Sequence, residues 1–322
     1  MGAYEDLKVH LIEEDRRDFI PNSGMNIENF VYRKNVEKPG TVIGFCDYAG
    51  EYYRKPEYFQ IGEDKVYKKK QYAGEIDAEI ILGYVYNDIG IPSPIAYPFF
   101  MKRYIPSFRW HEMGDRPTGI IADGVITKDM LQVFPNATKR GDVACHTLKG
   151  LFTDDKCLEV TTNRGRLARV KETIASIAFN NKDAGFDNSF WTLDKDGKFD
   201  SIISIDHGYS GRDSMYSKDK DALMRSLYFK GEHGFNGMYD YEEDRGTALH
   251  FLRRLLSGEK VDGVQFSDEE IKELHKFIQD LAKVDFKKIA DMYAERFRWK
   301  TNKLFMQNLE WCREDLVDSL EK

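Results

Sequence analysis

Polar and apolar positions change period several times along the chain, and each change predicts an element. The runs Glu57-Tyr58-Phe59-Gln60-Ile61 and Lys65-Val66-Tyr67-Lys68-Lys69-Lys70 flank a Gly62-Glu63-Asp64 turn, a pattern that predicts a β-hairpin. Over 75–88, Ile76, Ile80 and Gly83, with Ile89 beyond, recur near the helical period, and Gly90 followed by Pro92 supplies the stop. An extended run over 95–104 comes next, whereas residues 107–160 show weak periodicity and many turn residues and predict irregular chain. The stripe Leu167, Val170, Ile174, Ile177 and Ala178 predicts a helix over 166–179. Two strand-like runs follow over 189–193 and 199–205, joined by the turn Asp194-Lys195-Asp196-Gly197. Beyond about residue 212 the pattern is helical. Ser267 and Glu270 form a capping box ahead of Ile271, Leu274, Phe277, Ile278 and Leu281, and further helices are expected over 243–256, 286–298 and 302–320.

The first hundred residues are broken by Gly and Pro, and the last hundred are helical, which implies a two-part molecule. At 322 residues, with 41% hydrophobic residues and 18 Tyr and 21 Phe, there is enough apolar side chain to fill real cores. A balance of 48 basic against 55 acidic residues leaves a net charge of -7, so no global basic field exists and no nucleic-acid partner is expected. Cys46, Cys145, Cys157 and Cys312 stand singly, which predicts reduced, buried thiols rather than a disulfide framework or zinc ribbon. No run is apolar enough for a membrane span, and the acidic start Met1-Gly2-Ala3-Tyr4-Glu5-Asp6 lacks the features of a signal peptide. A cytoplasmic location is therefore expected, although export without a recognisable signal would leave no trace. His111, His146 and His207 belong to no zinc-binding spacing, and neither a Gly-x-Ser-x-Gly elbow nor a Gly-x-x-x-x-Gly-Lys phosphate loop occurs.

The candidate chemistry lies over 180–211. A polar loop from Asn181 to Asn188 follows the helix expected over 166–179, and the hairpin around Gly197 sets Asn188 roughly opposite Asp206. A hard cation such as Mg²⁺ takes oxygen ligands and is held by one or two protein side chains plus substrate phosphates, a task that suits Asn188 and Asp206. Asp183, on the same loop, is placed to orient a hydroxyl nucleophile toward a metal-bound phosphate. Asp194, Asp196 and Asp200 invite a calcium-loop reading, but without a later bidentate Glu they fit a turn better. His207 reads as a packing residue beside Asp206 rather than a base. Trp299, Phe305 and Trp311 read as helix packing rather than a binding box.

The string Asn181-Lys182-Asp183-x-x-x-x-Asn188, with Trp191 in the next strand and Ile205-Asp206-His207-Gly208 after the hairpin, resembles the HipA-like kinases. It is similar also to phosphatidylinositol-kinase-like bacterial enzymes, including small kinases of the CtkA type. The resemblance implies a catalytic base at Asp183, Mg²⁺ ligands at Asn188 and Asp206, and ATP as the phosphoryl donor. Such a mechanism needs a strand lysine on the nucleotide phosphates and a helix glutamate to hold it. Lys68 and Lys70 share a strand face with Val66, the family pattern favouring Lys70, and Glu79 lies on the apolar face of the following helix. Gly90-Ile91-Pro92-Ser93-Pro94 resembles the turn after that helix. Backbone atoms around Phe100, Met101, Lys102 and Arg103 would then contact adenine. The chain departs from the family in having Gly185 where a His is usual and Asn181 where protein kinases carry the loop His. Only poor candidates for a glycine-rich loop exist, around Gly24 and Gly50. The resemblance spans residues 57–104 and 164–211.

Two readings of the upstream half stay open: Glu79 could be solvated, with Glu75 the true partner, and Lys68, Lys69 and Lys70 could form an exposed edge-strand charge run. The expected fold is α+β and two-lobed, like a protein kinase, with a β-rich lobe of one helix over 1–104 and a mainly helical lobe over 105–322. The expected activity is phosphotransfer to a Ser or Thr of a protein, the enzyme itself included. A small-molecule or lipid kinase and a catalytically silent kinase-like binding protein are the alternatives.

Overall fold

The computed structural model describes residues 58–61, 65–69, 73–102, 120–128, 134, 136–138, 145, 147–181, 188–211, 213–228, 245–297 and 299–321. The expected hairpin is present: β1 (Tyr58–Ile61) pairs antiparallel with β2 (Lys65–Lys69), Tyr58 opposite Lys68 and Ile61 opposite Lys65. Then comes α1 (Ala73–Asp88), which is buried on nearly every side, a pattern that explains its mostly apolar sequence. Gly90, at φ +86°, turns the chain out of the helix as Ile91 N–H donates to the Tyr86 carbonyl at 2.7 Å. The next strand is β3 (Ala96–Lys102).

Residues 107–160 are not wholly irregular, contrary to expectation. Within them β4 (Ile120–Lys128) inserts between β2 and β3, giving a four-stranded antiparallel sheet of order β1-β2-β4-β3. Its sequence is not a clean alternation, and the register slips at Asp123, so that Phe99 faces Gly124 and Phe100 faces Ala122. The sheet therefore draws on the chain from Tyr58 as far as Lys128. Because β2 is paired on both sides, Lys68 and Lys69 do not lie on an edge strand.

A second sheet, of order β5-β6-β7, joins β5 (Ala137–Thr138), β6 (Ser189–Leu193) and β7 (Phe199–Ser204). Between β5 and β6 the chain forms two short helices: α2 (Leu148–Thr153), capped by Thr147, and α3 (Asp155–Val160), capped by Asp154. Cys145 and Cys157 are joined as a disulfide with a Cα–Cα distance of 5.3 Å, which corrects the expectation of free thiols. The turn through α2 into α3 brings together two positions that look isolated in sequence. Cys312 is a free, buried thiol, as expected.

The helix α4 (Asn163–Ala178) packs on β7. At Gly165 the Phe199 carbonyl approaches so closely that no Cβ fits. After two 3-10 turns, His207–Gly211 and Asp213–Tyr216, the chain is mainly helical where described, with a short bridged turn at Val261 and Val264. The helices are α5 (Lys220–Tyr228), α6 (Arg245–Leu256), α7 (Asp268–Ala282), α8 (Phe286–Phe297) and α9 (Lys303–Glu321). The capping box forms as predicted, with the Ser267 Oγ accepting from Glu270 N and the Glu270 side chain accepting from Ser267 N. Leu274, Phe277, Ile278 and Leu281 are buried; Ile271 is only partly so.

Trp299 and Phe305 are buried and Trp311 partly buried, in packing roles. The indole N–H of Trp299 and the backbone N–H of Asn302 both donate to Asp77 on α1, at 2.9 and 3.2 Å. The Tyr293 hydroxyl donates to the Ala96 carbonyl at 2.9 Å, so the last third of the chain seals α1 and the start of β3. The protein is thus mixed α/β, mostly helical with small antiparallel sheets. No helix among the described residues is long and apolar enough to cross a membrane.

Candidate active site

The β6–β7 hairpin positions the two candidate cation ligands. Ser189 pairs with Ser204, and one step outward the Ile205 N–H donates to the Asn188 carbonyl at 2.8 Å. Asn188 therefore stands opposite Ile205, and Asp206 follows as the next residue, one position from the register expected. Asn188 is 2% exposed, which fixes it against the fold. Asp206 is half-buried, with φ at +61°. Asn180, at the exit of α4, has φ +52°. Both lie in the left-handed region, which Asn and Asp enter more readily than other side-chain-bearing residues, at a cost of roughly 1–3 kcal/mol each. The chain is thus bent sharply at the exit of α4 and again just beyond β7. Asp183, in the segment 182–187, lies outside the described residues, as do Lys70 and Arg103.

The turn at the far end of the hairpin is the Asx arrangement expected rather than a calcium loop. Asp194 Oδ1 accepts from the backbone N–H groups of Asp196 and Lys198, both at 2.9 Å. Asp200 accepts from the Thr162 hydroxyl at 2.8 Å.

Beneath Asn188 is a buried network absent from the sequence-based expectations. The Ser189 hydroxyl donates to Glu172 Oε1 at 2.6 Å, and Arg169 Nη1 pairs with Glu172 Oε2 while lying 3.3 Å from Ser189 Oγ. Ser176 Oγ donates to the Glu172 carbonyl at 2.8 Å and meets the Tyr86 hydroxyl of α1 at 3.2 Å. Burial pushes the Tyr86 phenol far above its ordinary range, so the hydroxyl stays protonated in this network. The missed signal was a pair of opposite charges at i,i+3 on α4, Arg169 and Glu172, both buried although Lys171 between them is partly exposed.

On the other side of the hairpin, Glu79 is 1% exposed, which removes the reading of it as a solvated residue; Glu75 is buried as well. Buried carboxylates are retained only when paired or hydrogen-bonded. α1 reaches the hairpin through the segment after it, where the Ser204 N–H donates to the Pro92 carbonyl at 2.9 Å. Lys68 lies at a register position between Tyr58 and Val125. Phe100, Met101 and Lys102 lie on β3, opposite Ala122, Ile121 and Ile120, in the last strand of the sheet as described. The structure brings Asn188 and Asp206 to the same end of the hairpin, with Asn181 linked to them through His207, and joins α1 to them; the side chains of Lys68 and of residues 100–102 lie outside what is described.

The donor set fits a hard divalent cation. One amide and one carboxylate supply oxygen only, few enough to leave room for water and phosphate oxygens, which is how Mg²⁺ is ordinarily held. No group of three or more His, Cys, Asp or Glu arranged for a metal occurs among the described residues, so a thiolate or imidazole site has no counterpart there.

No family model matches the chain, and no curated protein matches it. Among solved structures it is similar to the proinflammatory kinase CtkA of Helicobacter pylori, at 11% identity over 86% of this chain and 96% of that one, with a TM-score of 0.42. A likeness that low decides neither fold nor activity for this chain.

Proposed function

We propose that the chain is an ATP- and Mg²⁺-dependent phosphotransferase, with a protein Ser or Thr, the enzyme's own included, as the acceptor. The observation that carries the reading is the ladder bond between Ile205 and Asn188, which sets Asn188 beside Asp206 at the open end of a hairpin whose partner loop contains Asp183. Mg²⁺, when bound, would offset the charge of the phosphates. Asn188 and Asp206 would hold it. Asp183 would orient the acceptor hydroxyl and take its proton as the oxygen bonds to the γ-phosphorus, while the bond to the β-phosphate oxygen breaks and ADP leaves. Lys70 would contact the α- and β-phosphates and Glu79, buried on its helix, would hold Lys70; Lys68 and the backbone from Phe100 to Arg103 would complete the nucleotide site. A two-lobed arrangement, residues 1–104 and 105–322, belongs to the same proposal.

The test is incubation of the purified protein with Mg²⁺, γ-labelled ATP and a Ser/Thr-rich acceptor protein, beside Asp183→Ala and Asp206→Ala. Label that disappears in both variants supports the reading. ATP bound without transfer to protein, with labelled small molecules or lipid headgroups instead, moves the acceptor to another class. ATP bound with no transfer to anything marks a silent binding protein, and no ATP binding at all removes the proposal.

A further inference from the structure

His207 follows Asp206 directly, is fully buried, and uses its whole ring. Nε2 lies 2.8 Å from Ser93 Oγ, in the segment after α1. Nδ1 lies 3.5 Å from the Asn181 side-chain amide, at the start of the loop that carries Asp183. The ring face meets Tyr86 of α1 at 4.3 Å between centroids. One residue, just beyond the end of β7, thus touches two pieces of chain far from it in sequence: the end of α1 with the turn beyond it, and the exit of α4.

The chemistry of these contacts is directional. With the Asn181 amide nitrogen facing it, Nδ1 accepts and Nε2–H donates to Ser93; with the amide reversed, Nδ1–H donates and the Ser93 hydroxyl donates to Nε2. Either way both nitrogens are satisfied by a single ring proton, and each arrangement ties Asn181 to Ser93 through the ring. The backbone supports the same junction, because Ser204 N–H bonds to the Pro92 carbonyl and Asn181 N–H to the Ser176 carbonyl, both within 2.9 Å. Asp206, in the left-handed region immediately before His207, has its backbone set by neighbours that are pinned on either side.

We infer that His207 is a positioning residue: it clamps Asp206 and the loop beginning at Asn181 to Ser93 and Tyr86, so that the cation ligands and the helix carrying Glu79 keep one mutual placement. The inference rests on the proposed phosphotransferase reading. It assigns His207 no contact with substrate or cation. Its role is to hold the donors in the productive geometry before they are used, where a displacement of about 1 Å can cost on the order of a hundredfold in rate.

The test compares wild type with His207→Ala, His207→Gln and Ser93→Ala by three measurements: binding of Mn²⁺ with ATP by electron paramagnetic resonance, phosphotransfer, and amide hydrogen exchange at Asn181 and Ser204. His207→Ala is expected to weaken Mn²⁺ binding at least tenfold and to speed exchange at both amides, with partial rescue by Gln, which keeps a donor and an acceptor. Ser93→Ala removes one bond and almost no volume; it should show the same changes to a smaller extent and serves if His207→Ala does not fold. Cation affinity and exchange both within twofold of wild type in folded His207→Ala, or in Ser93→Ala if that is the folded variant, overturn the clamp. Faster exchange at the two amides while Mn²⁺ and ATP stay unbound even in wild type removes the phosphotransferase reading, and the positioning role for a cation with it, leaving only the structural link.

Discussion

The backbone N–H of Ile205 bonds to the carbonyl of Asn188 at 2.8 Å, the last rung before the β6–β7 ladder opens. This rung makes Asn188 and Asp206 neighbours although 17 residues separate them in the chain. If both hold the same cation, their removal is coupled. Asn188→Ala and Asp206→Ala should each weaken Mn²⁺ binding in the presence of ATP by at least tenfold, and the double variant should be hardly worse than Asp206→Ala. Independent, additive losses in the cycle would separate the two residues functionally.

The Arg169, Glu172 and Ser189 network is buried below that rung. Removing one charge leaves the other uncompensated in the interior, and Glu172→Gln or Arg169→Met is expected to cost about 3–5 kcal/mol. The double variant Arg169→Met with Glu172→Met should recover much of that loss. Urea denaturation measures it, and a double variant as unstable as the sum of the singles rules the account out.

At Gly83 an added Cβ would lie 2.5 Å from the Pro94 carbonyl oxygen, so α1 can approach the entry to β3 only with hydrogen at this position. Gly83→Ala should destabilise by about 1–3 kcal/mol in spite of alanine's better helix propensity. A stabilised variant in thermal melting would mean that the approach is looser than described.

The Cys145–Cys157 disulfide spans 12 residues. Thiol titration of the denatured protein should find two more thiols after reduction than before it. Cys157→Ser should lower stability by about 3 kcal/mol, the entropy of a closed loop near that length. An equal thiol count with and without reductant contradicts the pairing.

Alkaline pH should weaken the fold. Burial pushes the Cys312 thiol from its ordinary value of 9.0 up to about 12, and raises the Tyr86 and Tyr293 phenols further. Groups whose folded value is raised stabilise fully below the unfolded value, and that contribution is lost as pH climbs toward the folded one. For Cys312 the loss begins near pH 9 and proceeds at about 1.4 kcal/mol per pH unit. Chemical denaturation of Cys312→Ala from pH 8 to 10.5 should show a shallower decline than wild type, and parallel profiles would deny the thiol this role.

The hairpin that bears Asn188 and Asp206 was legible because its signals are local: a Gly-containing turn and period-two runs on each side. The same holds for α4, α7 and the capping box at Ser267, where a stripe and a cap fall within one segment. β4 was not legible. Its residues become a strand by pairing with β2 and β3, distant in the chain, and Asp123-Gly124 breaks the alternation where the register slips. α2 and α3 are six residues each, too short for a stripe, and their caps, Thr147 and Asp154, do not stand out among the turn residues of that stretch. The candidate cation ligands could be placed from turn and spacing. Glu172, Arg169 and the His207 contacts could not, because a charge or imidazole on an apolar surface shows its partner only once helices pack.

The bond from Trp299 to Asp77 spans 222 residues. A ribosome must therefore deliver the 222 residues that follow Asp77, up to Trp299, before the carboxylate of α1 receives its indole donor, and Asn302 arrives later still. Until then α1 presents a buried-type surface to solvent or to a chaperone, and a nascent chain halted before Trp299 contains the residues of the candidate site yet cannot close the core that holds them.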